Sequence, residues 1–506
     1  MLKRLPVYVF LLGLYPVIAL WAANFNDVAP RDVMRALVVC AAVTLLVYVI
    51  ARRLLGNAAR AAVLVTWLGL AFFTYGHVYA WFLTRTGVGH RYLLPAWGLV
   101  FAWLIGWSLR RRRALDWLTP ALNVVALVAL LGPTVTLVRF AWAAASPPAL
   151  PEQSVPAASL APQGAPDIYY IILDGYGRAD RLNEFYGYDN QPWLTELTDQ
   201  GFYVAEASRS NYPFTYLSLL SSLNYAHLAT LTERLGADSS VRLYHLLEDS
   251  QVKRFLAARG YRTVAISSGY SATEFTHFDQ YYATYARALN PFETRLLNNS
   301  LAVIWRRHSF SAQRERVLFA FEKLAEMPAL PGPKFVFAHI LAPHPPFVFG
   351  PQGEARNPAG LYDTHDASLF VGTPEAYRQG YIDQLQTINA LVLPMLERLI
   401  ADSTTPPVIV VQGDHGPGVM FDLYSAESSC LPERYAIFNA YYLPGRPDAL
   451  YPGITPVNTF RVIFNTYLGA DFALLPDTSY FAPYDRPYAF QDVTEATQVV
   501  SANCRP

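Results

Sequence analysis

The stretch DIYYIILDG, residues 167–175, decides the fold of the larger part of this 506-residue chain. It is an apolar run of strand length that ends at an acid and a glycine, a pattern typical of a strand buried on both faces. Further runs of this kind are KFVFAHIL (334–341) and PVIVV (407–411), and an amphipathic helix is predicted between them over 374–400. Strands that alternate with helices predict an α/β fold with a mostly parallel sheet flanked by helices. Ligands bind beyond the carboxyl ends of such strands, so Asp174 lies where a site is expected.

Residues 1–142 are predicted to be a membrane region with five helices. The whole chain has 39 Lys+Arg and 39 Asp+Glu, but this segment holds 14 of the bases and only 3 of the acids. It contains five apolar runs, at about 6–24, 33–51, 61–83, 92–109 and 117–141. Each run is close to the roughly 20 residues that cross a bilayer as a helix. A cleaved signal peptide would account for the first run only, and five successive runs argue against buried core helices.

The basic residues of this region predict its orientation. They cluster before the first run, between the second and third runs and between the fourth and fifth: Lys3, Arg4, Arg52, Arg53, Arg60 and Arg110–Arg113. The positive-inside rule then places the N-terminus in the cytoplasm and the chain after the fifth run outside it. This is the arrangement of a multi-pass protein of a bacterial inner membrane with a periplasmic domain. Residues 143–166 form an Ala- and Pro-rich linker, and 167–506 form the extracytoplasmic domain.

Two strand ends carry candidate metal ligands. Asp174 follows the first apolar run, and Gly413-Asp414-His415-Gly416 follows VIVVQ. An adjacent Asp and His offer one oxygen and one nitrogen ligand, a combination that suits Zn²⁺ or Mn²⁺. The flanking glycines would let the backbone turn both side chains toward one ion. The alternative for each segment is a polar turn without a metal.

A candidate nucleophile lies in SNYPFTYLS, residues 210–218, where a loop enters a helix predicted over Thr215–Leu223. A hydroxyl at the start of a helix can bind a metal as an alkoxide, so Thr215 is the candidate. The alternative is that Thr215 and Ser218 are ordinary N-cap residues.

Two histidines lie in HILAPHPP, residues 339–346. His344 follows the strand and is flanked by prolines, so it can contact a substrate anion or protonate a leaving group. His339 lies within the strand, where a hydrogen-bonded core histidine is as good an explanation as a role in the site.

Taken together and in their order along the chain, these motifs resemble those of the alkaline phosphatase and sulfatase superfamily. The likeness is greatest to its membrane-anchored, sulfatase-like hydrolases and transferases. Lipoteichoic acid synthases and lipopolysaccharide phosphoethanolamine transferases belong to that group. The likeness covers about 166–490 and is carried by IYYIILDGYGR, YGYDN, SNYPFTYLSLLSSLN, HILAPHPPF and QGDHG. It implies metal-assisted displacement at phosphorus with one divalent ion, Zn²⁺ or Mn²⁺ before Mg²⁺.

The same resemblance implies a role for each candidate residue. The implied metal ligands are Asp174, Thr215, Asp414 and His415, and the implied catalytic residues are Thr215 as nucleophile and His344. The implied substrate contacts are His344, His339 and Asn211.

Departures from the family pattern narrow the kind of enzyme within the superfamily that this sequence resembles. Sulfatases usually have paired aspartates after the first strand and a C/S-x-P-x-R motif, but here Gly175 follows Asp174 and Tyr216-Leu217-Ser218 follows Thr215. No histidine follows His415, which favours a site for a single metal ion. We expect a solvated loop rather than a second ion site in the cluster of Asp363, His365 and Asp366.

The sequence therefore predicts an enzyme that acts on a phosphate ester, less readily a sulfate ester, of an envelope lipid or glycan at the membrane. The alternative is a catalytically inactive relative that binds a lipid and signals through its membrane helices. The balanced charge argues against a nucleic-acid partner, and no protein partner is predicted. Cys430 and Cys504 would lie in an oxidising compartment, where a disulfide between them is possible.

Overall fold

The computed structural model describes residues 5–25, 28, 30–110, 118–144, 164–239, 241–284, 289–305, 307–358 and 364–504. The chain divides into two compact units. The first, which we call the membrane unit, contains the described residues up to 144 together with Leu289–Ser309. The second, which we call the outer unit, contains the other described residues from 164 onward. Most of the linker predicted over 143–166 lies outside the described residues.

The membrane unit is built on five helices, which coincide with the five apolar runs. They are α1 (Tyr8–Ala23), α2 (Pro30–Leu55), α3 (Ala58–Thr86), α4 (His90–Arg110) and α5 (Leu118–Ala144). Within the described part of the chain, four of them, α2 to α5, are long and apolar enough to cross a membrane. The first has only 16 residues, so its crossing stays a prediction, as does the orientation of the bundle.

The rest of the described chain alternates strands and helices. In order they are β1 (Ile168–Leu173), α6 (Ala179–Tyr186), α7 (Gln191–Asp199), β2 (Tyr203–Val204), α8 (Thr215–Leu223), α9 (Ala229–Leu235), α10 (His245–Glu248), α11 (Gln251–Ala257), β3 (Arg262–Ile266), β4 (Gln280–Tyr282), α12 (Pro291–Asn298), α13 (Arg307–Glu326), β5 (Lys334–Ile340), α14 (Pro374–Ala401), β6 (Val408–Gln412), α15 (Leu431–Tyr435), β7 (Asn439–Tyr442), α16 (Pro456–Tyr467), β8 (Tyr480–Phe481) and β9 (Gln491–Asp492).

Seven strands form the central sheet, in the order β2-β7-β6-β1-β5-β3-β4. The neighbours from β6 to β4 pair in parallel, whereas β7 is antiparallel to both β6 and β2. The predicted α/β fold with a mostly parallel sheet is therefore confirmed. All six residues of β1 are buried, as a strand covered on both faces requires.

The position of β1 in the middle of this sheet brings the sequence motifs together. Leu173 of β1 pairs with Ile340 of β5, and Ile172 pairs with Gln412 of β6. The three strands therefore end at the same edge of the sheet. Asp174 and the segments that follow β5 and β6 emerge there side by side.

A disulfide joins Cys430 to Cys504, with 4.7 Å between their Cα atoms. It ties the C-terminal segment to the residue that precedes α15, and the pairing that the sequence left open is thus present. Cys40, in α2, is a free cysteine.

Candidate metal centre and nucleophile

Asp174, Asp414 and His415 converge at the shared edge of β1 and β6. One ligand atom from each lies within 4.8 Å of the other two, and all three residues are buried. Nε2 of His415 is 3.6 Å from Oδ1 of Asp174 and 3.4 Å from Oδ2 of Asp414. A tetrahedral ion with bonds of about 2.0–2.2 Å holds its ligand atoms roughly 3.3–3.6 Å apart. The two distances from His415 therefore fit one such ion.

The hydrogen bonding of these side chains also fits a cation. Oδ1 of Asp174 and Oδ2 of Asp414 are buried and accept no hydrogen bond from the described residues. Leaving buried carboxylate oxygens without a donor is costly, so an ion between them would remove that cost. Nδ1 of His415 lies 2.9 Å from the carbonyl oxygen of Gly416, which can only accept. The hydrogen is therefore on Nδ1, and the lone pair of Nε2 faces the two aspartates.

Electrostatics keeps Asp174 and His415 in the protonation states that a metal needs. Burial alone would raise the pKa of Asp174, but the charge of His344 and the hydrogen bond from His339 outweigh it and hold that pKa below its usual range. Burial lowers the pKa of His415, and the neighbouring Arg434 lowers it further. Asp174 is therefore ionised and His415 neutral, as in a metal site.

The glycines around these ligands serve two different needs. Gly175 has a φ of +74°, which a residue with a side chain rarely adopts, and its amide donates to Oδ1 of Asp414 at 3.1 Å. At Gly413 and Gly416, by contrast, a Cβ would collide with the backbone oxygens of Tyr176 and Glu433. These two glycines are thus needed for close packing of the backbone rather than for a left-handed turn.

Thr215 reaches the same point from the start of α8. Its Oγ1 lies 3.2 Å from Nε2 of His415, the atom that also faces the two aspartates. The helix begins at Thr215 itself, after the extended Phe214, and no side chain caps it. The N-cap explanation of Thr215 is therefore wrong, and Ser218 instead donates to the backbone oxygen of Asp414 at 2.7 Å. The free amides of the first helical turn favour a negative charge on the Thr215 oxygen.

His339 is a buried residue that serves the centre indirectly. Its Nε2 lies 3.2 Å from Oδ2 of Asp174, and its Nδ1 lies 2.8 Å from Oγ1 of Thr273. Because the carboxylate only accepts, Nε2 donates to Asp174 and orients that ligand. Both ring nitrogens are thus occupied, and the predicted direct contact of His339 with a substrate is replaced by support of Asp174.

His344 lies beyond the end of β5 and faces two carboxylates. Its Nδ1 donates to the carbonyl oxygen of Pro345 at 2.6 Å, and its Nε2 is 3.9 Å from Oδ2 of Asp366. Burial would lower the pKa of His344, but the charges of Asp174 and Asp366 outweigh it and raise that pKa. The ring is thus biased toward the cation, which can bind an anion or donate a proton.

Asp366 corrects the prediction of a solvated loop over Asp363, His365 and Asp366. Its carboxylate is buried, accepts from Nη1 of Arg434 at 2.6 Å and accepts from the hydroxyl of Tyr377 at 2.6 Å. Burial opposes ionisation, but Arg434 and then His344 lower the pKa of Asp366 to about 2. Asp363 lies outside the described residues.

Arg434 is the functional candidate that the sequence did not assign. Its Nη2 lies 3.2 Å from Nε2 of His415, and its Nε donates at 2.8 Å to the carbonyl oxygen of Pro213, two residues before Thr215. Its side chain is 3% exposed. It follows the metal-ligand motif by almost twenty residues and lies in the short helix α15, so its contact with the centre depends on tertiary packing.

Asn211 is a second correction, because the structure uses its side chain to hold the fold. Its amide nitrogen donates to Oγ1 of Thr455 and to the carbonyl oxygen of Thr478, and its oxygen accepts from the backbone amide of Val457. Both amide hydrogens are therefore occupied, and the residue is fully buried. The assignment of Asn211 to substrate binding is not supported by this arrangement.

No protein-family model matches this sequence, and no curated protein matches it. Solved structures are similar to it, though weakly. The C-terminal periplasmic domain of EptC from Escherichia coli matches at 16% identity and a TM-score of 0.43, over 65% of this chain and 92% of that one. The lipoteichoic acid synthase LtaP from Listeria monocytogenes matches at 15% identity and a TM-score of 0.38, over 65% and 82%.

A full-length membrane protein is similar as well. The lipooligosaccharide phosphoethanolamine transferase A, EptA, from Neisseria meningitidis matches at 13% identity and a TM-score of 0.39, over 91% of this chain and 95% of that one. At such identities and scores, the activity of this chain has to be inferred from its own side chains.

Proposed function

We propose that this protein is a metal-dependent, membrane-anchored enzyme that transfers or hydrolyses a phosphoryl group through Thr215. The observation that carries the proposal is the 3.2 Å approach of the Thr215 hydroxyl to Nε2 of His415, beside the orphaned oxygens of Asp174 and Asp414. A hydroxyl placed among metal ligands is the usual arrangement of an activated oxygen nucleophile.

One divalent ion would be held by Asp174, Asp414 and His415, with Thr215 as the fourth ligand. Such an ion lowers the pKa of a bound hydroxyl and neutralises the charge of an incoming anion. The mixed oxygen and nitrogen ligands favour Zn²⁺ or Mn²⁺ over Mg²⁺.

The protein side chains account for both halves of the reaction. Thr215 reacts as the alkoxide, because its hydroxyl would lose its proton to solvent on binding the ion. Its Oγ attacks phosphorus, the bond from phosphorus to the leaving oxygen breaks, and the cationic His344 donates its proton to that oxygen. In the second half, the hydroxyl of an acceptor or of water gives its proton to His344 and attacks phosphorus. The bond to Oγ of Thr215 then breaks, which restores the alkoxide. Arg434 Nη2 points at the same atom as Thr215 and is placed to bind a phosphoryl oxygen.

The substrate class is proposed from the membrane unit. Helices that can cross a bilayer hold the chain at the surface where phosphate-bearing lipids and envelope glycans are found. The cationic His344 and Arg434 suit an anionic head group. A phosphate ester is preferred to a sulfate ester because the position of the candidate nucleophile lacks the C/S-x-P-x-R motif, since Tyr216-Leu217-Ser218 follows Thr215. The segment from Cys430 to Arg434 has that spacing, but its cysteine is joined to Cys504 in a disulfide.

The nucleophile is tested with the full-length protein in detergent, on bis(p-nitrophenyl) phosphate and on phospholipid vesicles. We expect Thr215→Ala to abolish turnover and Thr215→Ser to retain part of it, because serine keeps the oxygen. Thr195→Ala, at an exposed position of α7, is the matched control and should turn over normally. Undiminished turnover by Thr215→Ala would contradict the assignment.

The ion is tested by removing it with a chelator and adding back Zn²⁺, Mn²⁺ or Mg²⁺ singly. We expect activity to return with an ion for the wild type but not for Asp414→Asn. If the purified protein holds no stoichiometric ion, turns nothing over and still binds lipid tightly, the inactive lipid sensor is the better description.

A further inference from the structure

A segment from the middle of the chain, residues 289–305, belongs to the membrane unit, although the chain before it and the chain from Phe310 onward belong to the outer unit. We call it the arm. It consists of helix α12 and a 3-10 helix, Leu301–Trp305. Phe292 and Leu296 of the arm share an apolar cluster with Val33 and Ala36 of α2.

An ion pair and a hydrogen bond also join the arm to α2. The guanidinium of Arg35, in α2, binds both carboxylate oxygens of Glu293, and the Nε–Oε1 distance is 2.5 Å. The side chain of Asn290 donates to the backbone oxygen of Asp32 at 2.7 Å. Glu293 is 6% exposed, so its charge is neutralised by a fixed partner rather than by water.

The arm also packs against α3, before the C-terminal end of that helix. Val303 lies in a buried cluster with Tyr75 and Tyr79 of α3, and a Cβ on Gly76 would collide with the backbone of Asn298. Between Ala58 and Leu83, α3 contains an apolar stretch long enough to cross a membrane. Gly76 precedes Leu83 by seven residues, which is about 10 Å of helix. The arm therefore packs against the side of this helix rather than against its end.

The backbone of the arm is suited to contact with lipid, because many of its polar groups have partners within the arm. Polar groups without partners are costly in lipid. The first turn of α12 is closed by a capping box between Asn290 and Glu293. The backbone amides of Asn299, Ser300 and Val303 donate to carbonyl oxygens within the arm. Among the described side chains of the arm, the exposed ones are Leu289 (45%), Ile304 (36%) and Arg295, and a long arginine side chain can extend its charge to the head-group level.

We propose that the arm is embedded in the membrane, with Leu289 and Ile304 in contact with lipid acyl chains near the head-group boundary. Lipid is the occupant because the arm packs against α2 and α3, which are long and apolar enough to cross a bilayer. The outer unit is thus anchored by its own chain at a second place besides the linker after α5. This proposal does not depend on the reaction at Thr215.

The test is the depth of a fluorescent probe on the full-length protein. Ile304→Cys, in a Cys40→Ser background, is labelled with a nitrobenzoxadiazole dye and reconstituted into phosphatidylethanolamine–phosphatidylglycerol vesicles. We expect quenching by a lipid with a nitroxide at a shallow acyl position and little quenching by aqueous iodide. Val371→Cys, 64% exposed in the outer unit, is the control and should show the opposite pattern.

Two outcomes would overturn the proposal. Quenching of the Ile304 probe by iodide would place the arm in water. Protection from both quenchers, together with cross-linking of two Ile304→Cys chains, would make a second copy the occupant.

A pair of glycine variants tests the contact between the arm and α3. Gly76→Val should force the arm from α3 and reduce the lipid quenching of the Ile304 probe to the level of the Val371 control. Gly69→Val is the matched control, because Gly69 lies on the same helix and a Cβ there meets nothing within 4 Å. It should leave the quenching unchanged, and equal effects of the two variants would contradict the contact.

Discussion

Nη1 of Arg434 donates to Oδ2 of Asp366 at 2.6 Å, and both side chains are less than a tenth exposed. The same guanidinium binds the carbonyl oxygens of Pro213 and Gly416 and faces Nε2 of His415. This one ion pair therefore connects the loop before the nucleophile, the metal-ligand motif and the carboxylate that faces His344. A group that binds three parts of a centre fixes their spacing as well as their charge.

Arg434→Met should lower the free energy of unfolding by about 3–5 kcal/mol, because it leaves the carboxylate of Asp366 buried and unpaired. Thermal unfolding of the full chain in detergent measures the loss. The double variant with Asp366→Asn should recover part of it, since no charge is then left alone. Arg254→Met is the control, because its pair with Asp249 is about half exposed and should contribute no more than about 1 kcal/mol. Equal losses for Arg434→Met and Arg254→Met would contradict the role of the buried pair.

His339→Leu should weaken metal binding by roughly 10–100-fold, because Asp174 loses the donor that orients it. Competition with a chelator measures this affinity directly, whatever the activity. His339→Gln keeps a donor and should restore part of the affinity. His277→Gln, at a side chain that is 70% exposed, should have no effect. Metal affinity that is unchanged in His339→Leu would show that Asp174 needs no such support.

Glu433 should make the stability of the protein depend on pH. Burial raises the pKa of its carboxyl to about 7, against an ordinary value of 4.5, although Tyr186 and the amide of Met420 donate to it. Between these two values the folded protein keeps a proton that the unfolded chain has lost. The free energy of unfolding therefore falls as the pH rises through this range, by on the order of 3 kcal/mol.

Glu433→Gln removes that proton equilibrium, so the variant should lose less stability than the wild type between about pH 5 and about pH 8. Melting temperatures of both proteins at the two pH values measure the difference. The idea fails if the two melting temperatures shift in parallel.

The disulfide between Cys430 and Cys504 closes a loop with a sequence separation of 74. Cys504→Ser should lower the free energy of unfolding by about 2–4 kcal/mol, because the unfolded chain regains the freedom of that loop. Denaturant unfolding measures it, and a reducing agent should have a similar effect on the wild type. Cys40→Ser breaks no disulfide and should leave the response to the reducing agent as in the wild type. A wild type that does not respond to reduction would argue against the disulfide.

The sequence by itself determined the sheet and the placement of the candidate metal ligands. The apolar runs before Asp174 and Asp414 have the length and the β-branched content of strands covered on both faces, and parallel strands end at one edge of a sheet. The start of a helix at Thr215 was predicted as well, because loop and helix differ in local pattern. These conclusions depend on periodicity and on residues adjacent in the chain, which a sequence displays directly.

Tertiary structure alone decided which polar side chains meet. Asp366 and Arg434 are 68 residues apart in the chain, and nothing near either one marks it as half of a buried ion pair. Asn211 precedes Thr215 closely in sequence, yet its amide nitrogen donates to Oγ1 of Thr455 and to the carbonyl oxygen of Thr478. Glu293 of the arm and Arg35 are 258 residues apart in the chain, and only the structure shows that they form an ion pair. Contacts of this kind depend on how elements pack, and local patterns carry no information about the partner.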